Sequence, residues 1–201
     1  MKIRKKYEKK EKRRKNKVNP ERSKNMAKIS DTVFIAEGAA ILGDVEIGDK
    51  TSVWYNAVIR GDVVKVKIGE ECNVQDCCVI HGEEPVVLGN RVSLGHGAIV
   101  HGAKIGDNVL VGMGSVIMDG AEIGENSLVA AGALITKGKK FPPNSLIMGS
   151  PAVAKRELKP EELESVSFNA DLYLATAKKH REGLWDTPID DLIAEIQNAR
   201  K

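Results

Sequence analysis

An aliphatic residue recurs at a period of six through most of this chain, and this period constrains the fold more than any other feature of the sequence. Four residues after most of these positions stands a second small or apolar residue, and glycine often follows the aliphatic directly. Hexapeptides of fixed period are a signature of the parallel β-helix. The aliphatic positions are Ile35, Ile41, Ile47, Val53, Ile59, Ile68, Val74, Ile80, Leu88, Leu94, Val100, Ile105, Val111, Ile117, Ile123, Val129, Ile135, Phe141 and Ile147.

The period fixes which side chains face the core. Residues an even number apart on a strand share a face, so the aliphatic and the residue four later both point inward. Three hexapeptides close one triangular coil, and each coil buries its interior against the next. From Ile35 to Leu146 the register contains eighteen hexapeptides, or six coils. The inward positions of the second kind are Ala39, Val45, Thr51, Ala57, Val63, Cys72, Cys78, Val92, Ala98, Val109, Ser115, Ala121 and Ser127.

The hexapeptide register breaks three times, and each break directly follows a polar residue in the second position of its repeat. The intervals that replace six residues are nine, eight and five residues long, and they begin at Ile59, Ile80 and Val100. The polar residues that precede them are Arg60, His81 and His101. Because three repeats separate successive members, we expect them to lie above one another at one corner. Sequences tend to break their local rules at functional sites, so this column predicts one.

A third histidine, His96, occupies a different corner, where Asp76 holds the equivalent place one coil earlier beside Gln75. His96 therefore does not easily reach a metal held by His81 and His101 of its own chain, but it could reach one held by a neighbouring chain. A single corner histidine is usually only solvated or hydrogen-bonded. Three of them in this arrangement favour a metal site, because imidazole is the commonest metal ligand and three histidines with an open position form a catalytic zinc arrangement. Cyclic closure of such interfaces would give a homotrimer.

Several motifs resemble the γ-class carbonic anhydrase family over residues 29–180. They are Arg60-Gly61-Asp62, Asn73-Val74-Gln75-Asp76, His81, His96 and Val100-His101-Gly102. The resemblance implies a mainly β fold, a trimer of left-handed β-helices each followed by a C-terminal α-helix, with metal sites between subunits. It further implies that His81 and His101 come from one chain and His96 from the next.

The resemblance also implies roles around the metal. Arg60 and Asp76 would pair across the interface, and Asp62 belongs to the first motif. Asn73 and Gln75 would form hydrogen bonds near the metal-bound water or bicarbonate. Tyr173, on the C-terminal helix, would face the site.

The activity implied by the resemblance is reversible hydration of carbon dioxide to bicarbonate by a metal-bound hydroxide at a subunit interface. Zn²⁺ lowers the pKa of bound water from about 15.7 to about 7. Zinc is the default cofactor, although Fe²⁺ or Co²⁺ would fit the same imidazoles. The best-known members carry an extended acidic loop with a proton-shuttling glutamate after the first histidine, whereas this chain has only Glu83-Glu84-Pro85.

Two other functions stay open at this point. A metal-binding relative with little or no hydration activity, serving as a structural protein or a thioesterase-like hydrolase, would need the same ligands. A hexapeptide acyltransferase would share the fold but would need one catalytic histidine and a donor cleft between chains. Three histidines in matched register disfavour the acyltransferase.

The first 25 residues differ in composition from the rest of the chain. They contain thirteen Lys or Arg and three Glu, a net charge of +10, which leaves −7 for residues 26–201 out of the whole-chain +3. Blocks of like charge are normally disordered. Such a segment could contact nucleic acid or an acidic membrane, but it lacks interleaved aromatic readers. We interpret residues 1–25 as a disordered basic extension upstream of a natural start at Met26.

Deleting residues 1–25 should leave folding, trimer formation and metal content unchanged, because the segment carries charge without a core. Light scattering and metal analysis of the truncated protein test this expectation. Loss of the trimer on truncation would contradict it.

The remaining chain is predicted to hold a β-helix domain over residues 26–152 and a helical segment over residues 153–201 that packs on it. Pro and acidic residues open a helix at Pro160, and a shorter helix spans Pro188 to Arg200. The apolar stripe of the first helix contains Leu163, Val166, Ala170, Tyr173 and Ala177, and that of the second contains Ile189, Leu192, Ile193 and Ile196. His180, on the first helix, is interpreted as a surface or packing residue.

The three cysteines do not suggest a disulfide framework, because Cys72 and Cys78 take inward positions and Cys77 lies at a turn. We therefore expect a cytoplasmic protein. The basic segment lacks the apolar core of a secretory signal, and no stretch is long and apolar enough to span a membrane.

Overall fold

A computed structural model describes residues 27–200, so the basic segment 1–25 lies outside the described residues. Within this range, short parallel strands wind into a β-helix that is followed by two helices. The first strands are β1 (Lys28–Ile29), β2 (Phe34–Ile35), β3 (Ala40–Ile47), β4 (Ser52–Val53), β5 (Val58–Ile68), β6 (Asn73–Val74), β7 (Val79–His81), β8 (Val86–Leu88), β9 (Ser93–Leu94) and β10 (Ile99–His101). The later elements are β11 (Lys104–Ile105), β12 (Leu110–Val111), β13 (Val116–Ile117), β14 (Glu122–Ile123), β15 (Leu128–Val129), β16 (Leu134–Ile135), β17 (Lys140–Phe141), β18 (Ser145–Gly149), β19 (Ala152–Glu157), α1 (Pro160–Arg181) and α2 (Ile189–Ala199).

The strands stack into three faces. Face A comprises the first halves of β3 and β5 with β7, β10, β13 and β16, and face B comprises their second halves with β1, β8, β11, β14 and β17. Face C comprises β2, β4, β6, β9, β12, β15 and β18. The seven strands of face C are separated by six coil-to-coil steps, as the repeat predicts. The solenoid is a left-handed β-helix.

The core is a set of aliphatic columns, one for each face. On face A, parallel pairing stacks Ile59, Ile80 and Val100 directly on one another, and all three are fully buried. Burying such a side chain contributes roughly 1.5–3 kcal/mol, so each added coil stabilises its neighbours.

Two positions expected in the core are exposed. Ile35 is 44% exposed because it belongs to the first coil, which has no preceding coil to cover it. The expectation for Val63 is wrong: it is 64% exposed, because it lies among the extra residues of the first register break. The extra residues of the first register break therefore lie on the outside of the corner.

The cysteines lie where the repeat predicts. Cys72 and Cys78 are buried and Cys77 is exposed at a turn, where its φ is 58°. Burial raises the pKa of both the Cys72 and Cys78 thiols to about 12. Because the thiolate is the reactive form, these two side chains serve as small core residues.

The C-terminal segment differs from the expectation at its start. Residues 152–157 form β19, which pairs antiparallel with β18 and closes the last coil, so the helical part begins at Pro160 and not at 153. Helix α1 starts where predicted. Arg156 forms an ion pair with Glu162 at 2.6 Å, and this contact, with a hydrogen bond from the Lys159 N–H, lowers the pKa of the Glu162 carboxyl to about 2.

Helix α1 packs against β2, β4 and β6 of face C, and α2 packs against α1. Most of the predicted apolar stripes are buried or half-buried, but Ile189 is exposed. His180 is a packing residue, since its ring contacts those of Phe34, Trp54 and Trp185. Across residues 27–200, neither helix has the length and apolarity required to cross a bilayer.

Candidate metal centre

One corner of the solenoid, at the end of face A, carries two stacked histidines. His81 ends β7 and His101 ends β10, and the two residues are direct partners in the parallel pairing of these strands. Their ring centroids lie 5.4 Å apart. Arg60 lies one coil earlier, with its Nη2 atom 3.0 Å from His81 Nε2. The three residues at the register breaks therefore share one corner, as predicted.

Asp62 belongs to the same cluster. Its Oδ1 atom lies 3.3 Å from Arg60 Nε and 3.3 Å from His81 Nε2. The chain reaches this position because β5 continues through the corner and carries the extra residues of the first break on its outer side. The corner thus combines two imidazoles with an exposed ion pair.

Asp119 completes this corner, and it is not among the site residues that the sequence predicts. His101 Nδ1–H donates to Asp119 Oδ2 at 2.7 Å, and the backbone N–H of Glu83 donates to Asp119 Oδ1 at 3.1 Å. Burial alone would raise the pKa of the Asp119 carboxyl, but the hydrogen bonds from Glu83 and His101 outweigh burial and lower it. A signal was present: Asp119 stands where the two preceding coils carry Gly82 and Gly102.

The corner at the other edge of face A carries His96. Its Nδ1 atom lies 2.7 Å from Asp76 Oδ2, on the preceding coil as expected. The His96 backbone N–H donates to Gln75 Oε1 at 3.2 Å, and Tyr173 Oη of α1 lies 3.3 Å from His96 Nε2. Burial, with the nearby Asp76 charge, raises the pKa of the Tyr173 phenol to about 12. Tyr173 is therefore a neutral hydroxyl at this corner.

Gln75 and Asn73 form a buried amide chain beneath the His96 corner. Gln75 Nε2 donates to Asn73 Oδ1 at 2.9 Å, and Asn73 Nδ2 donates to Ser93 Oγ at 2.7 Å. Asn73 faces outward from β6 on face C, which α1 covers. In the single chain Asn73 therefore supports the Gln75 amide, and a role of Asn73 near a metal-bound water stays a prediction.

The two histidine corners remain separate within one chain. No group of three or more His, Cys, Asp or Glu side chains among residues 27–200 is arranged to hold a metal ion. The donor chemistry nevertheless fits one. His96 and His101 each direct Nδ1 at a carboxylate, so Nε2 is the nitrogen that would bind a metal, and metal-bound histidines are almost always held in this way. In the single chain Tyr173 Oη lies 3.3 Å from His96 Nε2 and Arg60 Nη2 lies 3.0 Å from His81 Nε2, so a bound metal would displace both contacts.

Face A, which lies between these corners, is apolar on its outside. Its outward residues are Ala40, Val58, Val79, Ile99, Val116 and Leu134. The outward residues of face B are Lys28, Glu46, Lys67, Val87, Lys104, Glu122 and Lys140. Face B is therefore a charged, solvated surface, and α1 packs on face C along β2, β4 and β6. Face A is an apolar surface flanked by imidazoles on both edges.

A left-handed solenoid of hexapeptides with a helix along one face and histidines at two corners defines a hexapeptide-repeat protein. The family model described as "Bacterial transferase hexapeptide (six repeats)" matches residues 102–137. A Methanocaldococcus jannaschii protein named "Probable carbonic anhydrase" is 58% identical over 148 residues, which are 73% of this chain and 93% of that protein. The chain belongs to the γ-class carbonic anhydrase family.

Two further comparisons extend this result. "Gamma carbonic anhydrase 2, mitochondrial" from Arabidopsis thaliana is 34% identical over 160 residues, which are 76% of this chain and 58% of the plant protein. The crystal structure of a hexapeptide transferase family protein from Anaplasma phagocytophilum superposes with a TM-score of 0.74 at 41% identity, covering 76% of this chain and 91% of the other. The same solenoid is thus shared by proteins that carry both names.

Proposed function

We propose that this protein catalyses the reversible hydration of carbon dioxide to bicarbonate, using a divalent metal ion held between the subunits of a homotrimer. One observation carries the proposal. His96 and His101 lie at opposite edges of the apolar face A. Each directs Nδ1 at a carboxylate, so the lone pair of Nε2 would be the metal ligand. A donor set divided between two corners is completed when the His96 corner of one chain meets the His81 and His101 corner of another.

The apolar outside of face A supports the homotrimer. Val79 is half-buried and Ile99 is 37% exposed in the single chain. The exposed Met113 and Met118 continue the apolar surface one coil beyond His96 and His101. Large exposed apolar patches mark interaction sites. Because the two histidine corners border this surface, an interface formed there would close in a ring and build three equivalent sites.

The metal would be held by His81 and His101 of one chain and by His96 of the next. Zn²⁺ is the default ion, and Fe²⁺ or Co²⁺ suit the same imidazoles. When bound, the ion supplies hydroxide at neutral pH by lowering the pKa of water from about 15.7 to about 7. Asp76 and Asp119 would hold the His96 and His101 rings in the required orientation.

Arg60 has a part in assembling the site. It contacts His81 Nε2 in the single chain, and its side chain is well exposed. The second oxygen of Asp76 could accept Arg60 from the neighbouring chain, since Oδ2 is occupied by His96. Such a pair would draw Arg60 away from His81 Nε2 as the interface forms.

Other polar groups would act on substrate and protons. Gln75 keeps one amide hydrogen beyond its bond to Asn73, and the buried chain behind it fixes the amide plane. The neutral hydroxyl of Tyr173 can donate to a bicarbonate oxygen. Glu83 and Glu84, exposed in the turn after His81, are the nearest carboxylates along the chain that could accept a proton.

Hydration of carbon dioxide by protein loaded anaerobically with Zn²⁺, Co²⁺ or Fe²⁺ tests the proposal. We expect one metal per chain, catalysis with at least one of these ions, and loss of catalysis on chelation. Stoichiometric metal in a trimer without hydration would instead favour the second candidate, a metal-binding relative with a structural or thioesterase-like role. The short Glu83-Glu84-Pro85 turn, in place of an extended acidic loop, is the observation that favours this candidate.

A further inference from the structure

We propose that Asp119 is a positioning residue whose two carboxylate oxygens fix the His101 imidazole and the 82–85 turn together. The inference rests on the proposed function, because it concerns how His101 is prepared for a metal. Asp119 is 8% exposed, the lowest value for any carboxylate among the described residues. It belongs to the coil after His101 and reaches back over two coils.

The first oxygen sets which nitrogen of His101 is available. An ionised carboxylate can only accept hydrogen bonds. The 2.7 Å contact with Asp119 Oδ2 therefore places the proton of the neutral imidazole on Nδ1. The lone pair is then on Nε2, and the ring plane is fixed by the same bond.

The second oxygen holds the turn that follows His81. Asp119 Oδ1 accepts the backbone N–H of Glu83 at 3.1 Å, across 36 residues of chain. This turn carries both candidate proton acceptors, Glu83 and Glu84. A single carboxylate thus couples the orientation of one proposed metal ligand to the position of the turn beside the other.

Gly102 makes this reach possible. It has a φ of +63°, and a Cβ added there would lie 2.0 Å from Asp119 Oδ1 and 2.8 Å from Asp119 Cγ. Any side chain at residue 102 would displace the carboxylate. The requirement for glycine is therefore steric as well as conformational.

The chain offers a matched control for the carboxylate. Asp107 Oδ1 accepts the backbone N–H of Asn90 at 2.7 Å, which is a similar tie between coils with no histidine involved. Asp119→Asn and Asp107→Asn both replace an accepting oxygen with an amide. If Asp119 only linked neighbouring coils, the two variants would have the same effect on the His101 tautomer and on metal affinity.

The experiment compares these variants in two measurements. In the metal-free protein, ¹⁵N NMR of the His101 ring should show Nδ1 protonated in the wild type and a shift toward the Nε2-protonated tautomer in Asp119→Asn. Competition with a chelator should show Zn²⁺ affinity falling by roughly 10- to 100-fold in Asp119→Asn, the usual effect of losing a partner of a metal-bound histidine. Asp107→Asn should change neither value. An unchanged tautomer and affinity in Asp119→Asn would overturn the proposal.

Gly102→Ala gives an independent approach to the same contact. It should reproduce the tautomer shift and the affinity loss, and combining it with Asp119→Asn should add little further. Gly138→Ala is its control, because Gly138 has a φ of +71° at the equivalent corner but a Cβ there would meet no described heavy atom within 4 Å. Equal effects of the two glycine variants on the His101 tautomer would contradict the steric argument. If Gly102→Ala does not fold, the two aspartate variants decide.

The two measurements separate this inference from the proposed function. The tautomer measurement needs no metal, so a wild type that binds no metal would overturn the proposed function while a tautomer shift in Asp119→Asn would still support the hydrogen-bonding role. Metal binding and hydration that survive unchanged in Asp119→Asn, with an unchanged tautomer, would overturn the positioning role alone.

Discussion

Replacing Ile99 with glutamate should dissociate the proposed trimer into monomers, whereas replacing Val87 with glutamate should leave it intact. Ile99 faces outward on face A and Val87 faces outward on face B. They are 37% and 36% exposed in the single chain, so their intrinsic exposure is matched. Burying a carboxylate without a partner costs on the order of several kcal/mol, because the ion loses its hydration. In a cyclic trimer this penalty destabilises all three interfaces.

Light scattering at several protein concentrations measures the result. Val87→Glu controls for the added charge and for the loss of an aliphatic side chain, since it introduces the same residue beside Lys67 and Lys104. Ile99→Glu should also lose its metal, because the site would be divided between separate chains. A trimer that survives Ile99→Glu would show that face A is not the interface.

The repeat predicts the relative position of His81 and His101, because the number of hexapeptides between two residues of a solenoid fixes how they lie relative to each other. A parallel rung adds about 4.8 Å along the axis, so residues three repeats apart must lie one above the other. The 5.4 Å separation of the two rings agrees with this spacing. The same counting places Asp76 against His96. These relations depend only on register, which the aliphatic pattern fixes.

Relations that depend on side-chain reach could not be obtained in this way. Asp119 contacts His101 because its carboxylate passes over Gly102. The repeat shows that Asp119 replaces the glycine of the two preceding coils, but it does not show where the carboxylate points. The offset of Val63 from Ile59 fits the repeat and therefore predicts a core position. A break in register does not show which of its residues leave the strand. The sequence does not predict the antiparallel pairing of β19, because that segment has no hexapeptide period.

The solenoid also explains why the site would need more than one chain. His81 and His101 stack at one corner on adjacent coils, whereas His96 lies at the opposite edge of face A. A column can therefore supply two imidazoles to one ion, but the third must approach from outside the coil. Packing of face A against a neighbour is the arrangement that the surface chemistry favours, since face A is apolar and has a histidine corner at each edge, whereas face B is charged.

Mixing two inactive variants should restore metal sites if the ligands are divided between chains. His81→Ala and His96→Ala homotrimers should each bind metal very weakly, because zinc requires its full donor set. In a mixed cyclic trimer, one interface joins an intact His81 and His101 pair to an intact His96 of the next chain. Random mixing in equal amounts leaves about one quarter of all interfaces intact in a cyclic trimer. Bound metal should therefore recover to about that fraction of the wild-type value.

The matched control mixes His81→Ala with His101→Ala. These ligands share one corner, so no subunit in the mixture carries both, and no interface should recover. Unfolding and refolding the mixtures, followed by metal analysis of the isolated trimers, makes the comparison, with mass-tagged subunits to demonstrate exchange. Recovery in the first mixture and none in the second supports ligands divided as proposed. No recovery in the first mixture, despite proven exchange, would mean that all three histidines act within one chain.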